Sequence, residues 1–236
     1  GIVRTDHYGW GSAHTIVTLA VGLALIALFL LIEGRLAKAP LVPLRVFKSR
    51  QLSAANLVMF LLGASAFAMW YFVSLYLQEV RGYSAIKTGV IFTAATLGIL
   101  FSSLAAERLA KRFAQRTLIV AGFVVTIAGI VLLLALVPAT DSIWAFVPGL
   151  ALVGLGLGGM LTPSVNVVQS SFPEALQGEI SGLSRSVSNL GSSFGTAIAG
   201  TILVSVIAPG NRAYAWAMVA LVVFGVVGLG AALLLP

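Results

Sequence analysis

The chain contains seven long stretches without a formally charged side chain. They are residues 7–32, 51–78, 88–106, 117–140, 142–173, 186–211 and 213–236. Only 9% of all residues are charged and 59% are hydrophobic, so these stretches are mostly apolar. A helix needs about 20 apolar residues to cross the hydrocarbon core of a bilayer. The stretches therefore predict a protein that lies in lipid.

The spans are predicted to be helices. In hydrocarbon, backbone polar groups must be satisfied within the chain, so only helices or a closed barrel can cross. Barrel strands alternate in polarity over about 10 residues, and stretches such as Leu118–Val137 do not alternate. We predict an all-α membrane protein with seven transmembrane helices, sequence neighbours mostly packing antiparallel. The predicted helices are 14–32, 52–78, 86–106, 117–137, 144–168, 178–207 and 213–235.

The segment 33–50 differs from the rest of the chain. Pro40 and Pro43 interrupt any continuous helix there, and five basic residues alternate with Leu, Val and Phe. This pattern is typical of a stretch on an anionic membrane surface. We predict an outer segment with an accessory transmembrane helix (1–32), an amphipathic cytoplasmic linker (33–51) and a six-helix bundle (52–236).

The basic residues are distributed unequally between the two sides of the predicted topology. Ten of the 14 Lys and Arg residues fall on the side of segments 33–50 and 107–116, and four fall on the other. Loops rich in Lys and Arg stay in the cytoplasm. We therefore expect the N-terminal end outside and the C-terminal end in the cytoplasm. The net charge of +7 then reports topology, and no nucleic acid is expected as a partner.

Residue types that carry catalysis or bind metals are scarce. The chain has no Cys, and no nucleophile–base pair, metal-ligand cluster or phosphate-binding loop is recognisable. We expect no enzyme activity, no cofactor and no metal. Six of the seven Asp and Glu residues lie outside the predicted helices, and Glu179 lies at the start of one. A carboxylate that could carry a proton at mid-membrane is therefore missing from these residues.

Several short motifs follow one another in a fixed order. They are Gly9-Trp10-Gly11-Ser12, Pro40-Leu41 with Pro43-Leu44, Leu75-Tyr76-Leu77-Gln78, Gly82-Tyr83-Ser84, the glycine run from Gly154 to Gly159, and Gly191 with Gly195. Together they resemble the C-terminal half of the fourteen-helix drug:proton antiporters of the major facilitator superfamily. The odd number of spans and the start at Gly1 also lead us to expect a piece of a larger protein.

The resemblance implies a mechanism and partners. It implies half of a proton-coupled secondary exporter of hydrophobic or cationic drugs, working by alternating access in the inner or plasma membrane. The implied partners are the lipid bilayer, the missing N-terminal half, a small hydrophobic substrate and protons. Alternatives are a carrier of a sugar or other metabolite from the same superfamily and, in another class, a seven-helix membrane receptor.

A loop in the resemblance matches a cytoplasmic gating motif only partly. Residues 107–116 are similar to the pattern G-R-L-A-D-R-x-G-x-R, whose basic positions are occupied by Arg108, Arg112 and Arg116. Lys111 stands where the pattern has Asp, so an acid–base relay at that position is in doubt, and Glu107 is a candidate substitute.

Polar and aromatic residues inside the spans are candidates for a substrate pathway, because polar groups there face a cavity or another helix. The candidates in the second span are Phe67, Trp70, Tyr71, Ser74 and Gln78, which recur at helical spacing. Those in the fifth and sixth spans are Thr162, Asn166, Arg185 and Asn189.

Each of these candidates has a plainer alternative. An interfacial aromatic belt accounts for the outer end of the second span. An interhelical hydrogen bond accounts for Asn166, and snorkelling to headgroups accounts for Arg185. Helix packing is the expected role of Gly154, Gly158, Gly191 and Gly195, and Asn56 is expected to cap or bridge helices.

Overall fold

The computed structural model describes residues 11–32, 35, 50–140, 142–169, 177–205 and 211–235. Every regular element in these residues is helical. The helices are α1 (Ala13–Leu31), α2 (from Arg50 to Val80), α3 (Ala85–Leu109), α4 (Gln115–Leu136), α5 (Phe146–Gln169), α6 (Gln177–Ser205) and α7 (Asn211–Ala232). The predicted all-α class and the seven predicted helices are confirmed, with ends that differ by a few residues.

Among the described residues, five helical segments are long and apolar enough to cross a membrane. They are Leu52–Val80, Ala85–Leu109, Gln115–Leu136, Ile143–Gln169 and Arg212–Ala232. Helix α1 contributes a shorter apolar stretch, Ala13–Phe29. Helix α6 is not among the five because its many Ser, Gly, Thr and Asn residues lower its hydropathy. The polarity of α6 therefore needs an explanation other than lipid contact.

Helix α2 occupies the centre of the bundle. In the apolar part of α2, 67% of an 18-residue stretch is buried, whereas 22% of the corresponding stretch of α3 is buried. It packs against α5, α6 and α7. Its path is not uniformly α-helical, because Gly63–Phe67 and Tyr76–Val80 are π-helical turns. Such turns occur frequently at functional sites, and these two flank the α-helical part Ala68–Leu75.

Helix α5 separates α3 from α4, which are neighbours in sequence. Both of these helices make their main contacts with α5, so the expectation that sequence neighbours pack together is wrong for this pair. The glycines of α5 explain the arrangement. A Cβ at Gly154 would overlap the backbone of Ala95 on α3, and a Cβ at Gly156 would overlap Thr126 on α4. Glycines on two sides let both helices approach closely.

A second glycine contact joins α2 to α6. A Cβ at Gly191 would overlap the carbonyl group of Phe60, and one at Gly195 would overlap that of Ala64. The contact is reciprocal, because a Cβ at Gly63 of α2 would overlap the carbonyl of Ser188 on α6. Backbones therefore meet directly along this seam.

Helix α1 exposes apolar side chains around its circumference. Val17, Leu23 and Leu25 are each more than half exposed, as expected for a helix that contacts lipid or further protein. The predicted linker 33–51 falls almost entirely outside the described residues. Its role and the division of the chain into three parts stay predictions.

Candidate functional site

Three of the five candidate residues of α2 form a strip that is at least partly exposed on a largely buried helix. Tyr71 is 50% exposed, Gln78 is exposed, and Ser74 is half-buried. The Gln78 side chain donates from Nε2 to Ser74 Oγ across 2.9 Å. Phe67 is half-buried and packs against the core. Tyr71, Ser74 and Gln78 thus form a surface with one aromatic ring and two linked polar groups.

Trp70 points away from this strip. Its ring lies 5.9 Å from that of Phe92 on α3, centroid to centroid, with the planes tilted by 55°. Its Nε1 is buried and has no hydrogen-bond partner among the described residues. Trp70 therefore contributes to the α2–α3 contact, while Tyr71 is the aromatic residue that a ligand at the strip would meet.

Helix α5 contributes a polar row at the end where it approaches α6. Thr162 is exposed and Asn166 is half-buried. Farther along the same helix, Gln169 donates from Nε2 to Ser181 Oγ of α6 across 2.9 Å. Pro163 is buried within α5, which continues to Gln169. The row thus runs from an accessible position into a contact between two helices.

Helix α6 presents its polar residues in two directions. Ser184 and Ser188 are buried against the bundle, whereas Arg185 and Asn189 are exposed. Ser184 donates to Asn56 Oδ1 of α2 across 3.0 Å in a buried hydrogen bond. Asn56 thus bridges two helices, while Arg185 and Asn189 of α6 remain exposed.

Arg185 has no acidic partner among the described residues, although it lies on a helix of the bundle. The nearest acid in sequence, Glu179, has a buried Oε2 atom without a hydrogen-bond partner in the same set of residues. An exposed guanidinium on a polar helix face can contact a ligand, a headgroup or another part of a transporter. The geometry permits both roles that the sequence left open for this residue.

The loop between α3 and α4 is compact and exposed. Glu107 and Arg108 lie in the last turn of α3, and Arg116 lies in the first turn of α4. Arg112 donates its backbone N–H to the carbonyl of Leu109 across 2.9 Å. All four predicted gating residues are exposed, and no ion pair joins them to one another within the described part of the chain.

Sequence reasoning missed a contact network at the opposite end of α3. Arg81 donates from Nη2 to the carbonyl oxygens of Val137 and Thr140, at 2.6 and 3.0 Å. Two residues earlier, Glu79 Oε2 accepts a hydrogen bond of 3.2 Å from the hydroxyl of Tyr214 on α7. In the sequence these two charges simply follow the charge-free stretch 51–78. Their partners are 56, 59 and 135 positions away, so no local pattern reveals them.

A comparison with protein families decides the class. The family sequence model for the Major Facilitator Superfamily matches residues 1–196 of the chain. The chain belongs to the Major Facilitator Superfamily. This assignment removes the seven-helix receptor from the alternatives, and it agrees with the resemblance drawn from the motifs.

Named relatives of this Major Facilitator Superfamily chain are export and resistance proteins. It is 33% identical to the cephamycin export protein CmcT of Amycolatopsis lactamdurans over 86% of its length. It is 31% identical over 87% to the tetracenomycin C resistance and export protein of Streptomyces glaucescens. It is 30% identical over 86% to the multidrug efflux pump LfrA of Mycolicibacterium smegmatis.

The chain spans about two fifths of each of these relatives. The matched shares of their lengths are 42%, 38% and 40%, respectively. This coverage is consistent with the expectation that residues 1–236 correspond to about half of a transporter of the Major Facilitator Superfamily.

Proposed function

We propose that this chain forms one half of a proton-coupled exporter of hydrophobic or cationic compounds. Residues 1–32 would be the accessory helix with its outer segment, 33–51 the cytoplasmic linker and 52–236 the C-terminal bundle. The bundle would rock against a second bundle around a site near the membrane midplane. The names of the relatives support export of this kind. The helical bundle would form one side of the substrate site.

The main structural support for the proposal is the strip formed by Tyr71, Ser74 and Gln78. Helix α2 is the most buried of the candidate spans, yet Tyr71 and Gln78 are exposed and Ser74 is half-buried. Tyr71 and Ser74 lie between the two π-helical turns, and Gln78 lies within the second turn. A half-exposed aromatic ring can stack with flat substrates and attract cations. The linked Ser74 and Gln78 can accept or donate hydrogen bonds to polar groups of the same ligand.

Residues of α5 and α6 would complete the substrate pathway. Thr162 and Asn166 would extend the polar surface along α5, and Asn189 with Arg185 would extend it along α6. The buried Asn56–Ser184 hydrogen bond holds α6 against α2, and Gln169–Ser181 holds α6 against α5. These contacts would keep the three helices in register while the bundle moves.

We place the proton-coupling carboxylate outside residues 1–236. The described acids Glu79, Glu107 and Glu179 all lie within the first or last turns of their helices. None is therefore positioned to carry a proton at the membrane midplane. Expressed alone, residues 1–236 are expected to give no proton-driven dye efflux from vesicles.

The substrate strip can be tested in inverted membrane vesicles that contain the whole transporter. Tyr71→Ala should raise the apparent KM for a cationic aromatic dye roughly two- to thirtyfold, the range expected from loss of one cation–π contact. Tyr71→Phe retains the ring and should transport nearly as well as the wild type. Trp216→Ala is the matched control, because Trp216 is 58% exposed on α7. Equal KM values for Tyr71→Ala and Trp216→Ala would refute the strip as a binding surface.

The proposed orientation has a separate test. The chain has no Cys, so a single introduced Cys is the sole labelling site within it. Ala114→Cys in the α3–α4 loop should be protected from a membrane-impermeant maleimide in intact cells. Ala139→Cys after α4 should be labelled. The reverse pattern would place the N-terminal end in the cytoplasm and contradict the proposal.

A further inference from the structure

The loop between α3 and α4 carries a concentration of positive charge that the transport proposal does not use. We call Arg108, Lys111, Arg112 and Arg116 the basic turn. All four side chains are exposed, and Glu107 is the single acid in segment 107–116. Within the described residues none of the four cations forms an ion pair. Four unpaired cations this close together repel one another unless an anion lies among them.

The backbone of the basic turn is ordered by hydrogen bonds. Lys111 and Arg112 donate their N–H groups to the carbonyls of Arg108 and Leu109, at 3.3 and 2.9 Å. Phe113 also donates to Leu109, at 2.9 Å. An open, shallow hollow of about 470 Å³ lies against the turn and is lined by Arg108, Leu109, Lys111, Arg112 and Phe113. Arg108, Lys111 and Arg112 therefore border an open space large enough for a small anionic group.

Apolar side chains in the same turn favour a lipid as the source of that anion. Phe113 is 50% exposed and Leu109 is 37% exposed. The turn connects two apolar candidate spans, Ala85–Leu109 and Gln115–Leu136, so it lies at a membrane surface. Cations can contact headgroup phosphates there while the apolar side chains reach the acyl chains. A soluble anion would use the cations but not Phe113 and Leu109.

We propose that the basic turn binds the headgroup phosphate of an anionic phospholipid, with Phe113 and Leu109 against its acyl chains. Each basic residue near an anionic membrane surface strengthens binding about fivefold. Reversal of one charge therefore weakens binding about thirtyfold. The site does not depend on the substrate or on proton coupling.

Lipid binding can be measured on the purified transporter in detergent by native mass spectrometry. Phosphatidylglycerol is titrated as the anionic lipid and phosphatidylcholine as the neutral one. Lys111→Asp should weaken phosphatidylglycerol binding at this site about thirtyfold and Lys111→Gln about fivefold. Lys87→Asp is the matched control, because Lys87 is an exposed lysine near the other end of α3. It should change this binding less than twofold.

Three results would overturn the proposal. The first is equal retention of phosphatidylglycerol by the wild type and Lys111→Asp, with circular dichroism showing that both are folded. The second is binding of phosphatidylcholine as strong as that of phosphatidylglycerol. The third is competition by glycerol phosphate at the concentration at which the lipid itself binds, which would indicate a site for a soluble phosphate. A double variant, Leu109→Ser with Phe113→Ser, should weaken lipid binding and leave any glycerol phosphate binding unchanged.

Discussion

The guanidinium of Arg81 lies against the end of α4, where its Nη2 is 2.6 Å from the carbonyl oxygen of Val137. Val137 is the C-terminal cap of α4, so this carbonyl is among those that the helix leaves unpaired. A cation there also interacts favourably with the negative end of the helix dipole. Arg81 precedes Gly82, whose φ of +64° allows the tight turn from α2 into α3. The connection between α2 and α3 is thereby fixed to α4.

Arg81→Gln should lower the stability of the bundle by about 1.5–3 kcal/mol, the range for hydrogen bonds that involve a charged group. The reason is that the carbonyls of Val137 and Thr140 lose their charged donor. Thermal unfolding in detergent, followed by circular dichroism, measures the effect as a lower Tm. Arg212→Gln removes an exposed arginine from the first turn of α7 and serves as the control. A Tm for Arg81→Gln no lower than that of the control would contradict this role.

Two glycines of α5 offer a matched comparison of packing. A Cβ at Gly154 would overlap backbone atoms of Ala95, whereas a Cβ at Gly159 would meet nothing within 4 Å. Gly154→Ala should therefore destabilise the protein by about 1–3 kcal/mol through forced separation of α3 and α5. Gly159→Ala should be neutral or stabilise by up to about 1 kcal/mol, because alanine favours helix. The Tm of Gly154→Ala should be lower than that of the wild type, and the Tm of Gly159→Ala should be equal to it or higher. An equal fall in Tm for both variants would refute the proposed close contact.

The buried hydrogen bond between Ser184 and Asn56 should couple α6 to α2. Interhelical hydrogen bonds in membrane proteins contribute about 0.6 kcal/mol on average and up to about 1.7. A double-mutant cycle with Ser184→Ala and Asn56→Ala should give a coupling energy in this range. Ser186→Ala is the control partner, since Ser186 is exposed and donates to the carbonyl of Gly182 in its own helix. A coupling energy as small as that of the Asn56–Ser186 pair would show that the bridge contributes nothing.

Most of the helix positions could be predicted from the sequence because a membrane imposes a length on each apolar stretch. Connections such as 110–114 were also recognisable, since charges interrupt the apolar pattern there. Packing partners were harder to predict. Helix α3 packs mainly on α5 and not on α4. Gly154 faces Ala95 of α3, and Gly158 faces Ile99 and Ser102 of α3. The direction in which a glycine faces is not visible in the sequence of a uniformly apolar helix.

The candidate site was predictable in part, for a related reason. Tyr71, Ser74 and Gln78 share a strip because i, i+3/i+4 spacing holds within one helix. Trp70 leaves the strip and packs on Phe92, since the adjacent position is rotated by about 100° in a helix of 3.6 residues per turn. The π-helical turns of α2 shift backbone hydrogen bonds without any change in composition, so sequence reasoning had no signal for them.

Arg185 provides a test of whether α6 lines the proposed pathway. If this guanidinium, which has no acidic partner among the described residues, faces the substrate, it repels cationic compounds, and Arg185→Gln should lower their apparent KM. At an effective dielectric constant of 20, like charges 8 Å apart repel by about 2 kcal/mol before screening, so a roughly two- to tenfold fall is expected once salt reduces this repulsion. The KM for a neutral dye should change less than twofold. Efflux of each dye from vesicles gives the two KM values. Arg212→Gln is the control, because it removes an exposed arginine from the first turn of α7. If Arg185 only contacts headgroups, the cationic and neutral dyes will respond alike, and α6 would then be removed from the proposed pathway at this position.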